Sequence, residues 1–101
     1  MQQKVDLIPN DIDILVSHGP PLGFLDSTRD GSRTGSTELL LHIKDKSKPK
    51  VVIFGHIHEG YGVMSDGTRL YVNASSCTFK YGMAPLNPPI VLDYPFCLGA
   101  L

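Results

Sequence analysis

Two histidines separated by a single residue, His56 and His58, follow an apolar run at residues 51–54, with Gly55 between the run and the first histidine. A third histidine, His18, is placed in the same way after the apolar run at residues 12–17. Neutral imidazole is a good ligand for zinc, iron and manganese. Each histidine alone is weak evidence, but the three placements together predict a divalent-metal site.

The one-residue spacing leaves the arrangement of His56 and His58 open. Both rings face one side if the backbone is extended, or they diverge to neighbouring metals if the chain turns at Gly55 and Gly60. Two metals roughly 3.5–4 Å apart can activate a water and clamp a phosphoryl group. A single site formed by all three histidines and water resembles a three-histidine zinc centre by ligand count alone.

Acidic residues near these histidines are few. Glu59 is a candidate for orienting an imidazole, because ligating histidines usually donate their other ring N–H to a carboxylate or carbonyl. An exposed loop residue is an equally good interpretation of Glu59. Asp26 and Asp30 lie in a long loop, and nothing in the sequence fixes their position. His42 lies among leucines and is interpreted as a packing or surface residue, and no residue is assigned a catalytic role.

The two apolar runs that precede the histidines indicate the elements that position them. Residues 12–17 and 51–54 are rich in β-branched side chains, as expected for strands buried on both faces. They are separated by a predicted loop and helix, and this order favours parallel neighbouring strands. His18 and His56 are therefore expected at the same edge of one sheet.

The remaining elements follow from local patterns. Residues 20–33 are rich in Gly, Pro, Ser and Asp and predict a long loop. Residues 35–47 predict a helix with a small capping residue and a carboxylate in its first turn. An Asp-Gly pair between residues 61–64 and 68–73 predicts a β-hairpin, and residues 90–92 predict a short edge strand.

Composition restricts the class of protein. The chain has 101 residues, 42% of them apolar, which indicates at most one globular domain. Its formal net charge of −1 provides no basic field that would attract a nucleic-acid polymer or an anionic membrane. No apolar run approaches the roughly 20 residues of a membrane helix, and the start has no secretory core, so a cytosolic protein is expected. Cys77 and Cys97 lack metal or redox spacing and predict free thiols.

Two segments resemble a known family. Residues 16–24, VSHGPPLGF, and residues 54–62, FGHIHEGYG, resemble the last two motifs of the calcineurin-like metallophosphoesterases, and more narrowly the metallophosphoesterase-domain-containing subfamily. The resemblance continues through residues 73–78 and 87–90, so it covers most of the chain.

The resemblance implies a mixed α/β fold that corresponds to the C-terminal half of a four-layer αββα sandwich. Its parts would be a mixed sheet, one main helix and a β-hairpin. Residues 11–101 would form this partial domain, and residues 1–10 match no motif of the family and are expected to be a lead-in.

The family pattern also implies roles for the histidines. His18 and His56 would bind one of two divalent metals (Mn, Fe or Zn), and His58 the other, although some members carry Gly at the position of His56. The implied reaction is hydrolysis of phosphomonoesters or phosphodiesters, with cyclic nucleotides among the candidate substrates, by a metal-bound hydroxide.

The sequence also departs from the family. The motifs Asp-x-His, Gly-Asp-x-x-Asp and Gly-Asn-His do not occur, so the bridging aspartate of the two-metal site is missing. A non-catalytic module that binds a phosphorylated ligand or a full-length relative is therefore the alternative function. Absence of the first sheet would leave apolar faces exposed, which predicts self-association or pairing with a missing N-terminal half.

Overall fold

The computed structural model describes residues 5–75 and 87–93. In these residues a mixed four-stranded sheet contains β1 (Ile14–Val16), β2 (Val51–Phe54), β3 (Gly62–Ser65) and β4 (Leu70–Asn73). The strand order is β1-β2-β4-β3, with β1, β2 and β4 parallel and β3 antiparallel to β4. The mixed α/β class with one main helix is confirmed.

The parallel pairing of β1 with β2 confirms the prediction from the two apolar runs. Ile14 is in register with Val51 and Val16 with Ile53. The β-branched side chains of these short strands suit a pleated, buried surface. Because the strands are parallel and in register, the segments that follow them emerge at the same edge of the sheet.

The loop predicted at residues 20–33 is observed, with isolated bridges and no strand of its own. The α-helix α1 (Thr37–His42) follows it, and the hydroxyl of Ser36 accepts a hydrogen bond from the backbone N–H of Leu39 at 3.1 Å. This contact satisfies one of the free N–H groups at the helix start. The capping residue predicted from the sequence is therefore confirmed.

The helix continues to Ser47, as predicted, but its last turn is a π-helix (Ile43–Ser47). The N–H of Lys48 donates to the carbonyl of Ile43 at 3.1 Å, and the buried hydroxyl of Ser47 donates to the carbonyl of His42 at 3.3 Å. The backbone bond from Lys48 spans five residues instead of four, which widens the turn. The ring Nδ1 of His42 lies 3.1 Å from the Ser47 hydroxyl, so the interpretation of His42 as a packing residue is confirmed.

The β-hairpin is also confirmed, as β3 and β4. One carboxylate oxygen of Asp66 accepts hydrogen bonds from the backbone N–H groups of Thr68 and Arg69, at 2.8 and 2.7 Å. This type of local bond is the reason that Asp is favoured in turns. The hairpin joins the sheet through β4, which pairs in parallel with β2.

The prediction of an edge strand at residues 90–92 is wrong. Residues 87–93 contain no strand. Pro88 and Pro89 have no backbone N–H to donate to a sheet, which disfavours pairing of this segment. Cys77 and Cys97 lie outside the residues that the structure describes.

The core lies between the sheet and the helix. Leu15, Val52 and Tyr71 form one row across β1, β2 and β4, and all three are buried. Leu39 and Ile43 pack against this face, and the cluster also includes Val5 and Phe54. On the opposite face of β1, Ile14 and Val16 are 42% and 71% exposed, so the prediction that this strand is buried on both faces is wrong. The helix and the loop therefore cover one face of the sheet.

Across the residues that the structure describes, no helix has the length and apolar character needed to cross a lipid bilayer.

Candidate functional site at the C-terminal edge of the sheet

His18 and His56 are in contact at one edge of the sheet. Each lies two residues beyond the end of its strand, and the backbone N–H of Gly55 donates to the carbonyl of His18 at 3.0 Å. The centroids of the two imidazole rings are 4.6 Å apart, and the ring planes are inclined by 41°. Both side chains are exposed to solvent. The predicted convergence of these two histidines is therefore observed.

The chain turns sharply at His56. Its φ is +70°, and the N–H of Ile57 donates to the carbonyl of Gly55 at 2.8 Å. A bond between residues two apart around a positive φ forms a γ-turn of the rare, strained kind. A non-glycine residue in such a conformation costs on the order of 1–3 kcal/mol and is characteristic of functional sites. The segment from His56 to His58 is thus not extended.

His58 begins a 3-10 turn (His58–Gly60) and is half-buried. Within residues 5–75 and 87–93, no three His, Cys, Asp or Glu side chains are grouped so that they could hold one metal ion. The structure therefore brings His18 and His56 together without adding His58 to the same group. This arrangement gives no support to a single centre formed by three histidines.

The imidazoles of His18 and His56 would supply part of the ligand set of a metal site. Two exposed imidazoles in contact match the ligand preference of zinc, iron or manganese. Two imidazoles are fewer than the four ligands that zinc normally takes. The roles of His18, His56 and His58 as metal ligands remain predictions.

Asn73, the last residue of β4, connects three segments around the histidines. Its side chain is fully buried, and its Nδ2 donates to the carbonyls of Ile57 at 2.8 Å and of Leu25 at 3.1 Å. Its Oδ1 accepts from the N–H and the hydroxyl of Ser75, at 3.1 and 2.7 Å. These four bonds use the two donors and two acceptor positions of the amide.

Asp26 holds the long loop together. It is 0% exposed, and its carboxylate accepts from the N–H groups of Gly23 and Gly35 at 2.9 and 3.0 Å and from the guanidinium of Arg33 at 2.7 Å. Burial alone would raise the pKa of Asp26, but these hydrogen bonds and the charge of Arg33 outweigh it and hold the pKa below its usual 3.8. Asp26 is therefore a structural anion of the loop.

Glu59 also contacts the loop. Its Oε2 accepts a hydrogen bond from the backbone N–H of Arg29 at 3.1 Å, and its side chain is exposed. A Cβ atom added to the neighbouring Gly60 would overlap the carbonyl oxygen of Leu25, so the loop packs directly on this turn. The role of Glu59 in orienting an imidazole remains a prediction.

A pocket of about 440 Å³ opens beside His18 and His56. Its other lining residues are apolar or uncharged: Val5, Ile8, Ser17, Gly19, Pro20, Thr34, Ser36 and Leu39. Among the described residues that line it, none is Lys, Arg, Asp or Glu. An anionic ligand in this pocket would therefore need a positive charge from another source.

The sequence pattern predicts no role for Asn73 or Asp26 at the site. It places Asn73 at the end of a strand, and a polar residue at the end of a buried strand is the signal for its role. Asp26 had no such signal, because its partners are loop residues up to nine positions away.

Comparison with known proteins gives a consistent result. A family model described as calcineurin-like phosphoesterase matches residues 2–60, which include all three candidate ligands. The chain is 55% identical over 94 residues to human metallophosphoesterase domain-containing protein 1, covering 92% of this chain and 28% of that protein. It is 40% identical over 92 residues to UPF0046 protein T07D4.2 of Caenorhabditis elegans, covering 91% of this chain and 23% of that protein.

A second nematode protein, UPF0046 protein C25E10.12, is 38% identical over 100 residues, covering 95% of this chain and 35% of that protein. The chain thus spans between 23% and 35% of the length of these relatives. The resemblance to the metallophosphoesterase-domain-containing subfamily is confirmed by these matches. The chain belongs to the calcineurin-like phosphoesterase family.

Proposed function

We propose that this chain contributes His18, His56 and His58 to a divalent-cation-dependent phosphoesterase site. The observation that carries this proposal is the contact between the rings of His18 and His56, whose centroids are 4.6 Å apart. Ligands that follow neighbouring parallel strands converge on the crevice at the carboxyl ends of those strands, which is where ligands bind in open α/β sheets. Family membership supports the same reading.

His18 and His56 would hold one cation, and His58, which follows the turn at His56, would face a second. When bound, divalent cations lower the pKa of a water molecule and neutralise charge that develops on a phosphoryl group. The protein's contribution is to fix the imidazoles. The γ-turn at His56 and the 3-10 turn at His58 do this through backbone hydrogen bonds.

The lining of the pocket supports a dependence on cations. A phosphoester carries negative charge, and burying an uncompensated anion is costly. The described lining contains no lysine or arginine to balance that charge. We therefore propose that phosphoester binding is coupled to cation binding, with small phosphomonoesters or phosphodiesters, cyclic nucleotides among them, as substrates. A cytosolic location is part of this proposal.

Hydrolysis of p-nitrophenyl phosphate and bis-p-nitrophenyl phosphate, measured with and without Mn²⁺ or Zn²⁺, tests the proposal. Metal-stimulated turnover by the wild-type chain should be lost in His56→Ala. His42→Asn is the matched control, since it removes a histidine from the core and keeps a polar group near Ser47. Equal turnover in wild type and His56→Ala would refute the proposal.

A non-catalytic binding role is the second candidate. It is favoured by the fact that no acidic side chain joins His18 and His56 in a metal-binding group within the described residues. In that case the chain would bind inorganic phosphate, or associate with itself or with a longer relative, without turnover. Phosphate binding that depends on His56, combined with no hydrolysis, would favour this candidate. Sedimentation of the purified chain would test its association.

A further inference from the structure

We infer that Asn73 is the positioning residue of this site: its buried amide sets the backbone that presents His56 and His58. Asn73 is not one of the candidate metal ligands. Its importance for function rests on the proposed function, in which His56 and His58 bind metals. Its effect on the backbone, however, is measurable without any metal.

The side-chain amide of Asn73 donates to the backbone between the two histidines. The shorter of its two donated bonds, 2.8 Å, reaches the carbonyl of Ile57, the residue between the two histidines. This carbonyl belongs to the peptide that connects the γ-turn at His56 to the 3-10 turn at His58. Fixing this peptide therefore fixes the relative directions of both side chains.

A strained turn persists only when its surroundings hold it. His56 has a φ of +70°, and its own side chain is exposed, so burial of the imidazole does not hold the backbone. The first residue of the turn, Gly55, is held by its backbone bond to His18. The last residue, Ile57, has a buried side chain, and its carbonyl accepts the side-chain hydrogen bond from Asn73. We assign the maintenance of the turn to this bond.

The second donated bond links the same point to the long loop. Nδ2 of Asn73 donates to the carbonyl of Leu25 at 3.1 Å, across 48 positions of sequence. Gly60 allows this approach, since a Cβ atom at that position would overlap Leu25 and lie 2.8 Å from Nδ2. Asn73 thus joins the loop to the histidine segment at one buried atom.

Asn73→Asp tests the assignment with little change of shape. The carboxylate keeps an acceptor for Ser75 but places an oxygen against the carbonyls of Ile57 and Leu25, where the donor stood. Two controls keep the Asn73 amide. Ser75→Ala removes a hydroxyl that donates to Oδ1, and Asn87→Asp makes the same chemical change at a side chain that donates to the carbonyl of Ser75.

The primary readout is the backbone of His56, measured by NMR in the metal-free chain. A positive φ at His56 gives a strong nuclear Overhauser effect between its own HN and Hα, together with characteristic backbone chemical shifts. We expect both signals in wild type, Ser75→Ala and Asn87→Asp. Both signals should be absent in Asn73→Asp. A positive φ that persists at His56 in Asn73→Asp would overturn the inference, whether or not the chain binds metal.

If Asn73→Asp does not fold, the wild-type chain still decides the question. A scalar coupling across the hydrogen bond from Nδ2 of Asn73 to the carbonyl carbon of Ile57 is expected. Rapid solvent exchange of both Nδ2 protons, with no coupling, would overturn the inference.

Zn²⁺ titration then separates this inference from the proposed function. Asn73→Asp should bind Zn²⁺ about tenfold more weakly than wild type, the size of effect typical for residues that orient metal ligands. Ser75→Ala and Asn87→Asp should remain close to wild type. Zn²⁺ binding that is unaffected by His56→Ala would defeat the proposed function alone, whereas binding that depends on His56 but is unchanged in Asn73→Asp would defeat this inference.

Discussion

His18 and His56 are 38 positions apart in sequence, yet their imidazole centroids are 4.6 Å apart at one edge of the sheet. The parallel pairing of β1 with β2 produces this contact, because both strands end in register at the same edge. The N–H of Gly55 strengthens it by donating to the carbonyl of His18 at 3.0 Å. The contact is thus a consequence of strand direction together with one backbone bond.

Because φ of His56 is positive, replacing His56 by Gly should favour the stability of the fold while it abolishes the imidazole proposed to bind a metal. His56→Gly removes the imidazole and also relieves the strain of the positive φ, which costs a non-glycine residue on the order of 1–3 kcal/mol. His56→Ala removes the imidazole and keeps that strain. Denaturant unfolding should therefore show His56→Gly to be more stable than His56→Ala by about 1 kcal/mol, after the entropic cost of glycine.

Both His56 variants should lose Zn²⁺ affinity to a similar degree, since each lacks the imidazole. Equal stability of the two variants would show that the backbone at His56 is not strained. Greater Zn²⁺ affinity in His56→Gly than in wild type would contradict the role of this histidine as a ligand.

Asp26→Asn should destabilise the chain by about 2 kcal/mol at neutral pH, because it weakens charge-assisted hydrogen bonds at a buried site. The amide would place a donor against the N–H groups of Gly23 and Gly35, which now donate to the carboxylate. Chemical denaturation of wild type and variant measures the difference. A loss below the error of the measurement would contradict the structural role of Asp26.

The same contacts predict a pH dependence of stability. The folded-state pKa of Asp26 is lower than 3.8, so its stabilising contribution is complete above that value and is lost as the pH falls through the folded-state pKa. Asp26→Asn should lose this part of the acid dependence. Asp30 is the control in the same loop: it is exposed, and hydrogen bonds from Thr28 and Ser32 lower its pKa to about 2. Asp30→Asn should cost less stability at neutral pH.

Gly60→Ala should be strongly destabilising, whereas Gly55→Ala should not. A Cβ atom at Gly60 would overlap the carbonyl oxygen of Leu25, and forcing extra volume into a packed site costs roughly 1–3 kcal/mol. At Gly55 the nearest atom is the Ser75 hydroxyl at 3.6 Å, an ordinary contact. Thermal unfolding compares the two, and an equal loss in both variants would contradict the close approach of the loop.

Ser47→Ala should lower the free energy of unfolding by about 1 kcal/mol without changing Zn²⁺ affinity. The Ser47 hydroxyl is buried and bonds to the carbonyl of His42, with the His42 ring 3.1 Å away. Loss of the bond affects only the helix end and the core. A change in Zn²⁺ affinity in Ser47→Ala would mean that the packing around Ser47 and His42 affects metal binding, which would contradict this prediction.

Much of the fold could be predicted because its signals are local. The capping hydroxyl of Ser36 and the Asp66-Gly67 pair act over three residues or fewer, so the helix start and the hairpin were visible in the sequence. The role of Asn73 depends on a contact 48 positions away, and the role of Asp26 depends on the path of an irregular loop, and no periodicity records either. The prediction of an edge strand at residues 90–92 is wrong because apolar character alone does not supply a pairing partner.

A Zn²⁺ or Co²⁺ titration of the purified chain and of His18→Ala, His56→Ala and His42→Asn shows whether His18 and His56 form a metal site. We expect wild type and His42→Asn to bind the metal with the same affinity. We expect His18→Ala and His56→Ala each to bind at least about tenfold more weakly, because each removes one ligand of the same cation. Metal binding that is unchanged in both His18→Ala and His56→Ala would contradict the claim that these two histidines form a metal site.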